Sequence, residues 1–375
     1  MPLASFLSGL SAALLRRRHK PFARCALACV SLVLVVVSAC TNPQSAQQRA
    51  AEAAGNWPKT VRIGYQIVPN AELLAKSLNL VERQFPDTRI QWTAFPAGWK
   101  INAAMRAGEL DIGMVGSLPV STGIARDLPF QVYIVHDVIG KNAALAVTKA
   151  SGIKTIDDLS GKRIGVPFGS TSHYSLLSAL KNADIDIGKV RILDMSLSEI
   201  LSAWKRDAID GSFIWQTTLS KLLADDGTVL ITAGDLVDEG GLTADLGTVS
   251  TEFAQTYPDF LPAFVKVLEE ATDIYRQEPD RAAVAVSQEV GLTKETSLSI
   301  MNEMIWLDTQ QQTEAAYLGT PEQPGALTQV LKDSAEFMFN QGALPDAPGL
   351  ETFEKAIYHQ GVTDAIASQE EAANS

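Results

Sequence analysis

Cysteine is nearly absent from this 375-residue chain: there are three, Cys25, Cys29 and Cys40, all within the first forty positions. From Thr41 onward the sequence has no thiol, which excludes both a disulfide framework and a cysteine nucleophile from its globular part. Histidine is almost as scarce. Beyond the first forty residues only His136, His173 and His359 occur, far apart and with no pair at i, i+4 spacing, so no metal-ligand pattern forms. No G-x-S-x-G elbow, Walker loop or Rossmann fingerprint is present either. Basic charge is also in short supply. Setting aside the five Lys and Arg of the first forty residues leaves 26 against 43 Asp and Glu, a net charge of −17 for the remainder. An acidic globule argues against nucleic-acid binding, which needs basic patches. It also means that an anion must be drawn in by local dipoles and hydroxyls rather than by the overall field.

The first forty residues are of another kind. A basic stretch (Arg16, Arg17, Arg18, Lys20, Arg24) precedes an apolar run from Cys25 to Ala39 that ends in Val37-Ser38-Ala39-Cys40. The run is shorter than the ~20 residues of a spanning helix, which favours a cleaved signal peptide over an uncleaved anchor. Its end resembles a bacterial lipobox, in which Cys40 would be diacylated and become the first residue. Residues 41–56 are polar, rich in Ala and Gln and without a hydrophobic face, as expected of a tether.

About 320 residues then alternate short apolar strands with helical patterns, the mark of an α/β architecture. Strands are expected at Val61–Tyr65, Ile90–Ala94, Ile112–Val115, Gln131–His136 and Ala143–Thr148. A second series follows at Arg163–Val166, Val190–Leu193, Gly211–Ile214 and Val229–Ile231. From Thr251 the pattern turns helical, with Phe264, Leu268 and Ala271 on one face and Leu331, Ala335 and Met338 on another. The expected organisation is a first lobe from 57–147 and 250–360 and a second from 148–249. The chain would cross back at Asp245–Ser250, and an acidic, Ala-rich tail at 361–375 reads as disordered. Two lobes joined by two crossings describe a hinged binding protein that closes on a ligand.

Two turns of similar design stand out. Gly169-Ser170-Thr171-Ser172 leads into a helix, offering hydroxyls and free backbone N–H groups at the positive end of a helix dipole to a small oxyanion. A plain N-cap accounts for one such turn equally well. The second is Gly116-Ser117, between the strand Ile112–Val115 and a helix begun by Pro119. Two of them suggest two lobes presenting helix N-termini to one ligand.

At these turns the chain resembles the periplasmic taurine and aliphatic-sulfonate binding proteins of ABC importers. The likeness is carried by an ordered set: Val61-Arg-Ile-Gly-Tyr-Gln66, Ile112-Gly-Met-Val-Gly-Ser-Leu-Pro119, Gly161-Lys-Arg-Ile-Gly-Val-Pro167, Ser170-Thr-Ser-His-Tyr-Ser-Leu-Leu177, Asp210-Gly-Ser-Phe-Ile-Trp215, Thr243-Ala-Asp245 and Thr309-Gln-Gln-Gln-Thr313. The fourth and last point to the taurine branch. The resemblance implies a two-lobe, type II periplasmic-binding-protein fold and no enzymatic activity or cofactor. It further implies an extracytoplasmic, lipid-anchored monomer that serves an ABC permease and ATPase and binds no nucleic acid. Alkanesulfonate, nitrate and a thiamin-precursor pyrimidine stay open as ligands. Thiamin-pyrimidine synthases share the fold family, but they are cytosolic and depend on histidine and cysteine; a sensory lobe is the other alternative.

Asp245 is the candidate partner for a ligand ammonium, against the alternative of a turn aspartate at the hinge. Gln66, at the end of the first strand, can donate to a sulfonate oxygen and accept from an ammonium. Gly116, Ser117, Ser170, Thr171 and Ser172 are expected to hold the sulfonate, and Trp215, at a strand end, to pack on the two-carbon spacer. His173 is expected to be neutral and to shape its turn. Trp99 could narrow the cleft, and Gly247 stands where relatives carry tryptophan, which bears on the pocket wall. For the leader, labelled palmitate is expected to enter the protein, and Cys40→Ser to abolish labelling or leave the leader uncleaved. An unmodified mature start elsewhere, found by mass spectrometry, would contradict the lipobox reading.

Overall fold

The computed structural model describes residues 57–239 and 243–373; the leader, Cys40 and the tether lie outside them. Among the described residues ten strands form two five-stranded sheets: β1 Thr60–Tyr65, β2 Arg89–Ala94, β3 Ile112–Gly116, β4 Phe130–Val138, β5 Ala143–Thr148, β6 Arg163–Val166, β7 Arg191–Asp194, β8 Gly211–Trp215, β9 Gly227–Thr232 and β10 Ala244–Ser250. The strand orders are β2-β1-β3-β10-β4 and β7-β6-β8-β5-β9. In each sheet four strands run the same way, and the strand fourth in order, β10 or β5, is antiparallel to both its neighbours.

The changeovers between lobes correct the expected boundaries. Strand β5 was expected to close lobe one and instead pairs with β8 and β9 in the second sheet. Strand β10 lies wholly in the first sheet, between β3 and β4. Each lobe therefore takes its antiparallel strand directly after a crossing, and the lobes meet near residues 139–142 and 243.

The two sheets also share a local device. Arg62 on β1 meets Asp111 just before β3, and Arg163 on β6 meets Asp210 just before β8. In both, the carboxylate accepts from the arginine's own backbone N–H and from its guanidinium. For Asp210 the distances are 2.8 Å to the Arg163 backbone N, 3.1 Å to Nε and 2.8 Å to Nη2. A two-pronged Arg–carboxylate pair fixes orientation as well as distance. Here it ties β1 to the entry of β3 and β6 to the entry of β8, and the carboxyl ends of β3 and β8 both arrive at the interlobe seam.

Lobe one has the larger core. Strand β3 is buried along its length, as a strand covered on both faces must be. The helix Phe260–Gln277 buries Phe260, Phe264, Leu268 and Ala271 in this core. The Thr309–Thr313 motif does structural work: the Gln312 amide donates to the Val135 carbonyl at 2.7 Å and accepts from its N–H at 3.0 Å. That occupies backbone groups on the outer edge of β4, which would otherwise be open to pairing. The expected disordered tail is another correction. Residues Gln360–Ala373 form a helix, and Val362 and Ala365 are fully buried in the lobe-one core. Those two apolar positions, three apart, are enough to seat the first turns of an otherwise polar helix.

Candidate functional site

Between the lobes lies a small cavity of about 50 Å³. Lobe one contributes Gln66, Gly116 and Asp245 to its wall. Lobe two contributes Thr171, Ser172 and Trp215. Six of the eight expected site residues thus converge there, from strand ends and a helix start distributed over 180 positions of sequence.

The helix Thr171–Asn182 aims its N-terminus at this cavity. Ser170 is its cap: the Oγ accepts from the His173 N–H at 3.2 Å and donates to the Pro167 carbonyl at 2.6 Å. Capping uses up the Ser170 hydroxyl, so it leaves the ligand set. Thr171 and Ser172, in the first turn, have backbone N–H groups with no intrahelical carbonyl to reach. Ser175, one turn further along the same face, also lines the cavity, and its buried Oγ bonds to no described residue. Ser117 is a second correction. Its Oγ is buried and accepts from the Ala244 N–H at 3.4 Å, joining β10 to the start of the helix Ser117–Ala125 instead of facing the cavity. Gly116, one residue earlier, reaches the wall instead.

Asp245 is 7 % exposed, and no described side chain donates a hydrogen bond to it. Burial without a countercharge pushes its carboxyl up to about 7. Gln66 is oriented by donation from its Nε2 to the Met114 carbonyl at 3.3 Å, which leaves its Oε1 as an acceptor. His173 behaves as expected. It stacks on Phe168 with ring centroids 4.4 Å apart, its Nδ1 accepts from the Gly169 N–H, and burial holds its pKa below the usual imidazole value. Trp99 is 52 % exposed beneath Lys100 and does not line the cavity. Gly247 is likewise absent from the wall. A Cβ there would come within 2.7 Å of the Tyr133 ring, which fills the space beside it.

Besides Ser175, the expected set lacks two polar residues of the wall. Asn142, on the first crossing, lines the cavity, while its Oδ1 accepts from the Gly140 N–H at 2.8 Å. Gln216, directly after Trp215, lines it too; its Nε2 donates to Glu303 at 3.1 Å and its Oε1 accepts from Ser220. Position at a crossing and adjacency to Trp215 were the available signals.

The lobes touch at the cavity. A methyl group on Gly116 would sit 2.4 Å from Thr171 Oγ1 and 3.6 Å from Asp245 Oδ1, so only glycine permits this approach. Farther out, Tyr174 meets Phe337 edge-on at 5.2 Å. Gly116→Ala is therefore expected to hold the lobes apart, raising the radius of gyration in small-angle scattering. Adding Thr171→Ala, which removes the clashing oxygen, is expected to restore the compact value. Identical scattering from all three proteins would contradict this closure contact.

The NMT1/THI5 like family profile matches residues 96–282. The taurine-binding periplasmic protein of Escherichia coli is 32% identical over 294 residues, which cover 76% of this chain and 88% of that protein. Among solved structures, the alkanesulfonate-binding protein of Xanthomonas axonopodis pv. citri bound to MOPS superposes with a TM-score of 0.67. It is 24% identical, over 80% of this chain and 99% of that one. The same fold is found in DSZB in complex with biphenyl-2-sulfinic acid, with a TM-score of 0.61 and 15% identity over 82% of this chain and 99% of that one. The two-lobe architecture, the cleft between its sheets and these likenesses agree: the chain belongs to the NMT1/THI5-like family, among the periplasmic taurine- and sulfonate-binding proteins.

Proposed function

We propose that this protein is the extracytoplasmic solute-binding component of an ABC importer, tethered through Cys40, and that it captures taurine without catalysing a reaction. One observation carries the ligand assignment. Thr171 Oγ1 and Asp245 Oδ1 approach the same point beside Gly116 from opposite lobes, so an anion-binding helix terminus and an unpaired carboxyl face each other across a very short gap. A two-carbon zwitterion spans such a gap. Its sulfonate would accept from the Thr171 and Ser172 N–H groups and hydroxyls, with Ser175 deeper on the same face. Its ammonium would lie on Asp245, with Gln66 Oε1 as a second acceptor, and Trp215 would cover the methylenes. Size agrees: since one water needs about 10–15 Å³ on this measure, the cavity holds roughly four, which suits a ligand of a few heavy atoms. The taurine-binding relative at 32% identity supports the same ligand.

Burying a carboxylate is tolerable only when a cation meets it, and removing one partner of a buried pair costs ~3–5 kcal/mol. Asp245→Asn is therefore expected to weaken taurine by more than about a hundredfold in titration calorimetry. Ethanesulfonate, which has no ammonium, is expected to bind the wild type weakly and the variant better. A preference for taurine over ethanesulfonate that survives Asp245→Asn would show that Asp245 does not read the amine.

A further inference from the structure

Behind Asp245 lies a group of buried ionisable side chains that the ligand contacts do not use. Asp137 on β4 is the cross-strand partner of Asp245 on β10. Two irregularities in this pairing leave His136 and Tyr133 as unpaired residues on β4, since Leu246 faces Val135 and Thr248 faces Val132. Extra residues of this kind re-aim side chains beside binding sites. Here they leave His136 and Tyr133 buried together with Asp137. From the helix Ala71–Ser77, Glu72 brings its Oε2 to 3.4 Å from His136 Nε2. Glu72 and Asp137 are 1 % and 0 % exposed. Both Glu72 oxygens, the Oδ1 of Asp137, both His136 ring nitrogens and the Tyr133 hydroxyl lack a hydrogen-bond partner among the described residues.

Among the described residues no cation answers the charge of this group. Lys76, on the same helix as Glu72, is turned to Glu289 at 2.7 Å. On the far side, from the helix Phe260–Gln277, Glu269 accepts from Thr309 at 2.6 Å and from Gln369 at 2.9 Å. Asn70 donates to Asp137 Oδ2 at 3.2 Å and is neutral. No group of His, Cys, Asp or Glu among the described residues is arranged to hold a metal ion. Three carboxyl groups thus share one buried region with an imidazole, and only one of them, Asp245, reaches the cavity.

We propose that Glu72, Asp137 and Asp245 act as one charge-regulating unit for the cationic end of the ligand: with the cavity empty, shared protons keep the cluster close to a single negative charge, and entry of an ammonium drives a proton out to solvent. In that step a carboxyl O–H bond breaks, its electron pair stays on the carboxylate, and the proton passes to the buffer. The inference rests on the reading that the ligand carries an ammonium. The directions agree with it. Burial first, and then the charge of Asp245, push Glu72 up to about 8 and Asp137 well above the usual carboxylate range, while burial lowers His136 to about 3, so the imidazole stays neutral. A ligand cation offsets the Asp245 charge and thereby makes ionisation of its neighbours easier.

Calorimetry in buffers of differing ionisation enthalpy counts the protons exchanged. Near pH 6, taurine is expected to release a proton that comes mainly from Asp245. Near pH 8, where Asp245 is largely ionised, release is expected to persist in the wild type and to fall substantially in Glu72→Gln and Asp137→Asn. Ethanesulfonate is expected to do the opposite, taking up a proton around pH 7, because it favours the neutral Asp245. Proton release at pH 8 that is zero in the wild type, or unchanged in both variants, would overturn the shared cluster and leave Asp245 acting alone. Failure of taurine to bind at all would instead fall on the ligand assignment.

A readout without ligand covers that case. Carboxyl groups whose folded pKa is raised hold protons more tightly than in the unfolded chain, so their stabilisation is fully present at low pH and is lost as pH climbs toward about 8. The urea midpoint of the ligand-free wild type is expected to fall between about pH 5.5 and pH 8, and to fall less in either variant. A wild-type midpoint that is flat over this range would contradict the cluster.

Discussion

Asp245 lies on the strand that completes the first sheet, shielded from water, and no described side chain bonds its carboxyl. An ionised group in that position costs several kcal/mol unless something answers its charge. Among the described residues neither lobe supplies such a partner, and the buried carboxyls of Glu72 and Asp137 stand near Asp245 instead. The shape of the seam follows from that deficit. On the proposed reading, Asp245 and Gln66 on the lobe-one side receive a cation, and the first turn of the helix Thr171–Asn182 with its hydroxyls, on the lobe-two side, receives an anion. On that reading a zwitterion would link the closing of the lobes to the relief of both.

The scaffold makes this possible by using one plan twice. The paired arginine–aspartate ties set the third strand of each sheet in the same way, and the carboxyl ends of both arrive at the same gap. Gly116 then lets the lobes come together to the point where the Thr171 oxygen fills the room a side chain would need. A site of about 50 Å³ is the product, a size that suits the small ligand proposed. Larger ligands would have to hold the lobes apart.

Much of this was legible in the sequence because it was local. Strand–turn–helix units with Gly and hydroxyls at their junction located Gly116, Thr171 and Ser172, and strand-end reasoning located Gln66 and Trp215. The failures have physical reasons of one kind: they depend on what else competes for a group. Ser117 and Ser170 have the right chemistry, but Ala244 and the helix cap take their hydroxyls. Glu72 and Asp137 sit 173 and 108 positions from Asp245 in sequence, and only pairing of β4 with β10 brings them together. The helix at 360–373 looked polar enough to be disordered, since the two residues that seat it, Val362 and Ala365, are few among many charged and amide side chains. Strand β5 could not be assigned to its sheet from its own residues, because an apolar strand next to a crossing suits either lobe.

The most direct measurement is a crystal structure of the protein with taurine. The sulfonate is expected against the N–H groups and hydroxyls of Thr171 and Ser172, with the ammonium nitrogen within hydrogen-bonding distance of Asp245 and the methylenes against Trp215. A ligand bound in the reverse orientation, or one whose nitrogen lies away from Asp245, would contradict the assignment of the two halves of the cleft.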